Sequence, residues 1–108
     1  MPRIYVPATL ELLASWYDAG AVPSTADGFE PPDDSEESEY AALMSAADAS
    51  AELLDGPGRR VVVVVETTSQ AAVPWREVVA VHADDAPGAD PDDDLSWYAT
   101  QETPDLLA

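Results

Sequence analysis

The order of elements in this chain predicts an α+β domain: a mixed sheet of about four strands with two helices packed on one face, at most a variant of the ferredoxin-like arrangement. Three observations point there. Residues 61–65 are five consecutive valines, a pattern that fits a central strand dry on both sides and not a strand with one wet face. Upstream lies a long segment with apolar residues at helical spacing. Downstream lie two short segments rich in β-branched and aromatic residues.

Taken in order, residues 3–7 (RIYVP) form a first strand closed by its proline. Thr9 caps a helix in which Leu10, Leu13, Trp16 and Tyr17 recur at steps of three and four, and Gly20 ends it in the left-handed conformation. Residues 21–34 carry three prolines and no periodicity, so they form a surface loop, with Phe29 able to pin it down. Asp34 with Glu37 resembles a capping box, and Glu36, Glu37 and Glu39 stand where a helix dipole favours anions. Tyr40, Leu43, Met44, Ala47, Ala51 and Leu54 make the apolar stripe of this second helix, which Gly56 and Pro57 stop. Arg59 and Arg60 lead into the valine strand, and residues 77–83 (EVVAVHA) form the next. Residues 84–94 (DDAPGADPDDD) are an acidic loop rich in Pro and Gly, expected to be mobile. Residues 95–101 form a last strand with Leu95, Trp97 and Ala99 on the core face. Two helices on one face leave the other bare, so the valine run requires further cover from the 21–32 loop, the C-terminal leucines or a second copy.

At 108 residues the chain makes one domain, 1–108, with a single modest core. It has no Cys, which removes disulfides, thiolate metal sites and cysteine nucleophiles. Nothing at its start has the pattern of a signal peptide, and its longest apolar run is the valine pentad, so a soluble cytoplasmic protein is expected. Its 22 Asp and Glu against four Arg give a formal net charge of −18. Such a surface repels phosphate and anionic headgroups, so direct binding to nucleic acid or membrane is not expected. No glycine-rich loop follows a strand to cradle a phosphate, and no cofactor is expected.

His82 is the lone histidine. Strand alternation puts Asp84 on its face, and with Asp85 beside them these three make a candidate polar site, in which a carboxylate would orient the imidazole and raise its pKa. No serine sits in a nucleophile elbow, and no catalytic residue is assigned. Asp90, Asp92 and Asp94 stand at the first, third and fifth positions of a calcium loop, but Leu95 and Gln101 occupy its glycine and glutamate positions, and no metal site is expected. Trp16, Tyr40 and Trp97 fall at core-facing positions. Trp75, beside Pro74 in a connection, and Tyr98, on the face opposite Trp97, have no core assignment and are the candidate partner-binding residues.

The segments YVPATLELL (5–13), EYAAL (39–43), VVAVHADD (78–85) and WYATQETPDLL (97–107) together resemble an uncharacterised actinobacterial family, domain of unknown function 6912. The family's members are longer between the His-Asp-Asp segment and the terminal aromatic motif, where this chain has only its acidic loop. The resemblance implies a cytoplasmic bacterial protein and brings no activity, cofactor or catalytic residue.

The reading that follows is a non-catalytic protein–protein interaction module, which acidic loops steer to a partner with a basic surface and which can pair with itself as a homodimer. One alternative is a nucleic-acid mimic that blocks a basic DNA- or RNA-binding protein. Another is a small enzyme centred on His82. Deleting residues 104–108 is expected to destabilise the domain, because Leu106 and Leu107 have apolar surface to cover.

Overall fold

All five valines are buried, and they lie in the middle of a four-stranded sheet. A computed structural model describes residues 2–108. Its elements are β1 (Arg3–Ala8), α1 (Leu10–Ala19), β2 (Ala21–Val22), α2 (Glu36–Leu53), β3 (Val61–Glu66), β4 (Val73–Pro74), β5 (Val78–Ala83), β6 (Ser96–Tyr98) and α3 (Thr103–Leu107). The main sheet runs β1-β3-β5-β6 with every neighbouring pair antiparallel, and β2 with β4 makes a separate two-stranded ribbon. The architecture is broadly α+β. The expected mixed sheet is corrected: among the described residues no two neighbouring strands run parallel, so the crossover that defines a ferredoxin-like arrangement has no place here.

The expectation of both helices on one face is also corrected. Val61, Val63 and Val65 pack toward Leu13 and Trp16 of α1, whereas Val62 and Val64 pack toward Ala42, Ala46 and Ala47 of α2. A strand apolar on both parities needs cover on both sides, and placing one helix on each face supplies it. On the α1 side the ribbon adds Val22 and Val73, and α3 adds Leu106. The C-terminal leucines therefore do cover sheet, on the side α1 already occupies. The strand before them is shorter than residues 95–101, because the chain turns helical after Tyr98 and Thr100 Oγ1 bonds the Val78 carbonyl at 3.0 Å.

α1 forms as its signals predict. Thr9 Oγ1 accepts from the Leu12 N–H at 3.1 Å, and Gly20 closes the helix at φ 75°, where a side chain would be strained. α2 uses other residues than expected. Ser35, held by its N–H to Asp33 Oδ1 at 2.9 Å, takes the cap position and accepts from the Ser38 N–H at 3.2 Å, which displaces the Asp34–Glu37 box. Its buried face is Ala42, Ala46, Ala47 and Ser50. Small side chains let the helix lie close to the sheet, and Ser50 Oγ reaches into it, donating to the Ala8 carbonyl at 2.6 Å and accepting from the Val61 N–H at 2.9 Å. Of the expected stripe, Ala47 is buried and Leu43 and Met44 pack half-buried against the same core, while Tyr40 and Ala51 are exposed.

The β1 edge is closed. Tyr5 and Phe29 exchange two backbone hydrogen bonds of 2.9 Å each, and Pro7 offers no N–H. Gly28 permits that approach: a Cβ there would stand 2.3 Å from Ile4 Cγ2. Among the described residues no helix is long and apolar enough to cross a membrane.

Candidate functional site

α2 packs over β1 and β3. A helix is about 10 Å across, whereas four strands span roughly 15 Å or more, so a single helix leaves the β5–β6 half of its face uncovered. The result is an open groove of about 390 Å³. Val64 and Ala80 lie along its floor, Glu36, Tyr40 and Leu43 of α2 form one wall, His82 and Trp97 form the other, and Arg3, Tyr5 and Glu39 close one end.

Two aromatic rings stand open in this groove: Trp97 is 61% exposed and Tyr40 51%. Both had been expected in the core. Trp97 pairs directly across from His82, on the half of the sheet face that α2 does not reach. The two partner-binding candidates lie elsewhere. Trp75 and Tyr98 are half-buried against the α1-side core; Trp75 meets Tyr17 edge-to-face at 5.3 Å, and Tyr98 donates its hydroxyl to Asp85 at 3.0 Å. Of the face read as core-facing, Leu95 is buried in the α2-side core while Trp97 is exposed, and Tyr98 from the other face packs half-buried against the α1-side core.

His82, Asp84 and Asp85 are not brought together as a working group. Asp84 is buried and binds Arg60, whose Nε and Nη2 donate to its two carboxylate oxygens at 2.8 Å each. Their backbones add the Arg60 N–H to Asp84 Oδ2 at 2.9 Å and the Asp84 N–H to the Arg60 carbonyl at 3.1 Å. Burial pushes the Asp84 carboxyl up, but the Arg60 bonds and charge outweigh it and hold the group below the usual carboxylate range. Asp85 accepts from Ser96 Oγ at 2.8 Å and from the Tyr98 hydroxyl. His82 receives no carboxylate hydrogen bond among the described residues, and burial lowers its pKa, opposite to the direction an orienting carboxylate would give.

The Arg60–Asp84 pair also anchors the acidic loop. The remaining Arg60 donors reach the carbonyls of Pro91 at 3.2 Å and Asp93 at 2.9 Å, so a buried guanidinium ties the loop to the sheet. Beyond that anchor the Tyr40 hydroxyl donates to Asp94 Oδ1 at 2.7 Å, which places the end of the loop beside the groove and raises the Tyr40 pKa. The loop carboxylates cap their own backbone: Asp90 Oδ1 accepts from the Asp92 N–H at 2.9 Å and Asp93 Oδ2 from the Asp90 N–H at 3.1 Å. Among the described residues no three His, Cys, Asp or Glu side chains are grouped to hold a metal ion.

Arg3 is the one guanidinium lining the groove, and it is already engaged, with Nη1 3.3 Å from Glu39 Oε1 and Nε 3.1 Å from Glu66 Oε2. Tyr5 donates its hydroxyl to the same Glu39 oxygen at 3.3 Å. Glu36 and Asp94 stand exposed at the mouth, so the groove presents aromatic rings within a negative rim.

Fold and groove together define a small α+β protein: an antiparallel sheet covered unequally on its two faces, with an acid-rimmed aromatic groove on the thinner side. The chain belongs to the family of unknown function DUF6912, which matches residues 2–91. That match takes in three of the four segments on which the resemblance was read and ends before Trp97–Leu107. No curated protein and no solved structure matches the chain significantly.

Sequence reasoning missed the groove and the Arg60–Asp84 pair. The pair did leave a trace: in the antiparallel register that sets Val61 against Ala83, one step further sets Arg60 against Asp84.

Proposed function

We propose that this protein is a non-catalytic interaction module that binds a protein with a basic surface through the groove beside α2. The observation that carries the reading is the convergence of Trp97 and Tyr40, both more than half exposed, on a single groove. Large rings held open by a fold are the side chains that anchor interfaces, since covering them removes much apolar area at little cost in side-chain entropy. The rim of Glu36 and Asp94, within a chain of net charge −18, favours a cationic partner and speeds its approach.

A photo-reactive benzoylphenylalanine at position 97 tests this, compared with the same residue at position 18 on exposed α1 surface. The expected result is capture of a basic protein from position 97 alone, suppressed by added salt. Equal capture from both positions counts against the groove, and an adduct of the chain with itself replaces the basic partner by a homodimer. Trp97→Ala provides the control, with folding stability expected to change by about 0.5 kcal/mol or less because the ring is outside the core. A nucleic-acid mimic is a narrower form of the same reading, supported by the Arg60 anchor that fixes the acidic loop in place; competition of the captured partner by duplex DNA distinguishes it.

A further inference from the structure

We propose that the groove is a slot for one long cationic side chain, an arginine or lysine of the partner, with its head group between the Trp97 ring and the Glu36 carboxylate. This rests on the reading of the groove as a partner site and specifies what enters it. Glu36, Tyr40 and Leu43 are spaced by four and three residues, so they form a single ridge along α2 that graduates from charge to ring to aliphatic. Facing that ridge are Trp97 and His82, with Ala80 and Val64 beneath. A long side chain with an apolar stem and a charged tip matches this order, stem along Leu43 and Ala80, tip at the mouth. Tryptophan is the aromatic ring that holds a cation best.

The same groove already contains the chemistry in miniature. Arg3 lies at its closed end with its guanidinium on Glu39, and Tyr5 shares that carboxylate. An anionic group would meet Glu36 and Asp94, and a neutral polar group would leave them without a counter-charge. A second copy of this chain is poorly supplied to fill the slot. It has four arginines and no lysine; Arg3 and Arg60 are in ion pairs, Arg59 donates to the Asp84 carbonyl, and Arg76 alone is exposed with no side-chain partner among the described residues.

The test is a nuclear magnetic resonance titration of the full chain, following the Trp97 indole N–H and the Tyr40 ring. Three glycine-flanked pentapeptides serve as probes, carrying at their centre arginine, its uncharged isostere citrulline, or norleucine. The arginine peptide is expected to shift both signals saturably, and citrulline and norleucine to bind about tenfold more weakly. Glu36→Gln and Trp97→Leu, checked for unchanged melting, are each expected to weaken the arginine peptide by a similar factor. Equal binding of arginine and citrulline overturns the cation slot while leaving the groove as a partner site. Shifts that avoid Trp97 and Tyr40 overturn it as well, and the crosslinking at position 97 then decides separately whether a protein docks there.

Discussion

On its α1 side the sheet is covered by three elements and by bulky side chains, Leu13, Trp16, Val22, Val73 and Leu106; on its α2 side it is covered mainly by one helix whose fully buried residues are three alanines and a serine, with Leu43 and Met44 half-buried beside them. The first face holds the larger part of the apolar burial that stabilises a domain of this size. The second compensates for thin apolar cover with polar staples, Ser50 between β1 and β3 and Arg60 between β3, β5 and the acidic loop. Area and directional bonding thus divide the work between the faces, and the face with incomplete cover is the one that keeps a groove.

Four substitutions probe that division. Arg60→Met is expected to have the largest effect, a loss of about 3–5 kcal/mol, because it strands a buried carboxylate. Chemical denaturation reads it, and Arg60→Met with Asp84→Leu should recover most of the loss; no recovery would show that the bonds to Pro91 and Asp93 matter more than the pair. Leu106→Ala on the opposite face should cost about 2–3 kcal/mol through lost burial, and removal of residues 104–108 should lower the melting temperature further. An unchanged melting temperature in that truncation would mean the α1 face is closed without α3.

Ser50→Ala is expected to cost about 1–3 kcal/mol, since it deprives a buried carbonyl and a buried N–H of their partner at once. A negligible change would leave the alanines alone holding α2. The smallest effect belongs to His82→Gln, and it appears only as a pH dependence. Burial holds the folded-state pKa of His82 below its free value of about 6.5, so the unfolded chain takes up the proton first as pH falls. The stability associated with the neutral imidazole is present above about pH 6.5 and is lost as pH falls toward the folded pKa. Loss of carboxylate self-repulsion on acidification is common to both proteins, so the difference in urea midpoint between pH 7 and pH 5 isolates the histidine; identical profiles would mean the ring is open to water.

Much of the fold was legible wherever the signal is local. Thr9 and Gly20 delimit α1 by cap chemistry, and the valine pentad announces a doubly covered strand through its own parity. Failure came where a residue's environment depends on distant elements. The stripe chosen for α2 followed its largest apolar residues, but a helix held close to a sheet buries its smallest, and Ala42 and Ala46 carry little signal in a pattern weighted by hydrophobicity. In the last strand Leu95 is buried as read, yet Trp97 of the same parity is exposed because it lies beyond the reach of α2 across the sheet, and nothing within residues 95–101 encodes that. The groove was illegible for the same reason: its walls come from β1, α2, β5 and β6, and it exists because of what a single helix leaves uncovered.

The seam between Tyr5 and Phe29, with Pro7 beside it, has a consequence for assembly. A chain that grows by adding strands must accept a neighbour on either flank, and this one has a finished border on one side and the three residues of β6 on the other, with no backbone bond from another segment capping them among the described residues. Two molecules joined through β6 would each present only a finished border outward. Any association of this kind terminates at a pair, and a filament built on it has no third member to recruit.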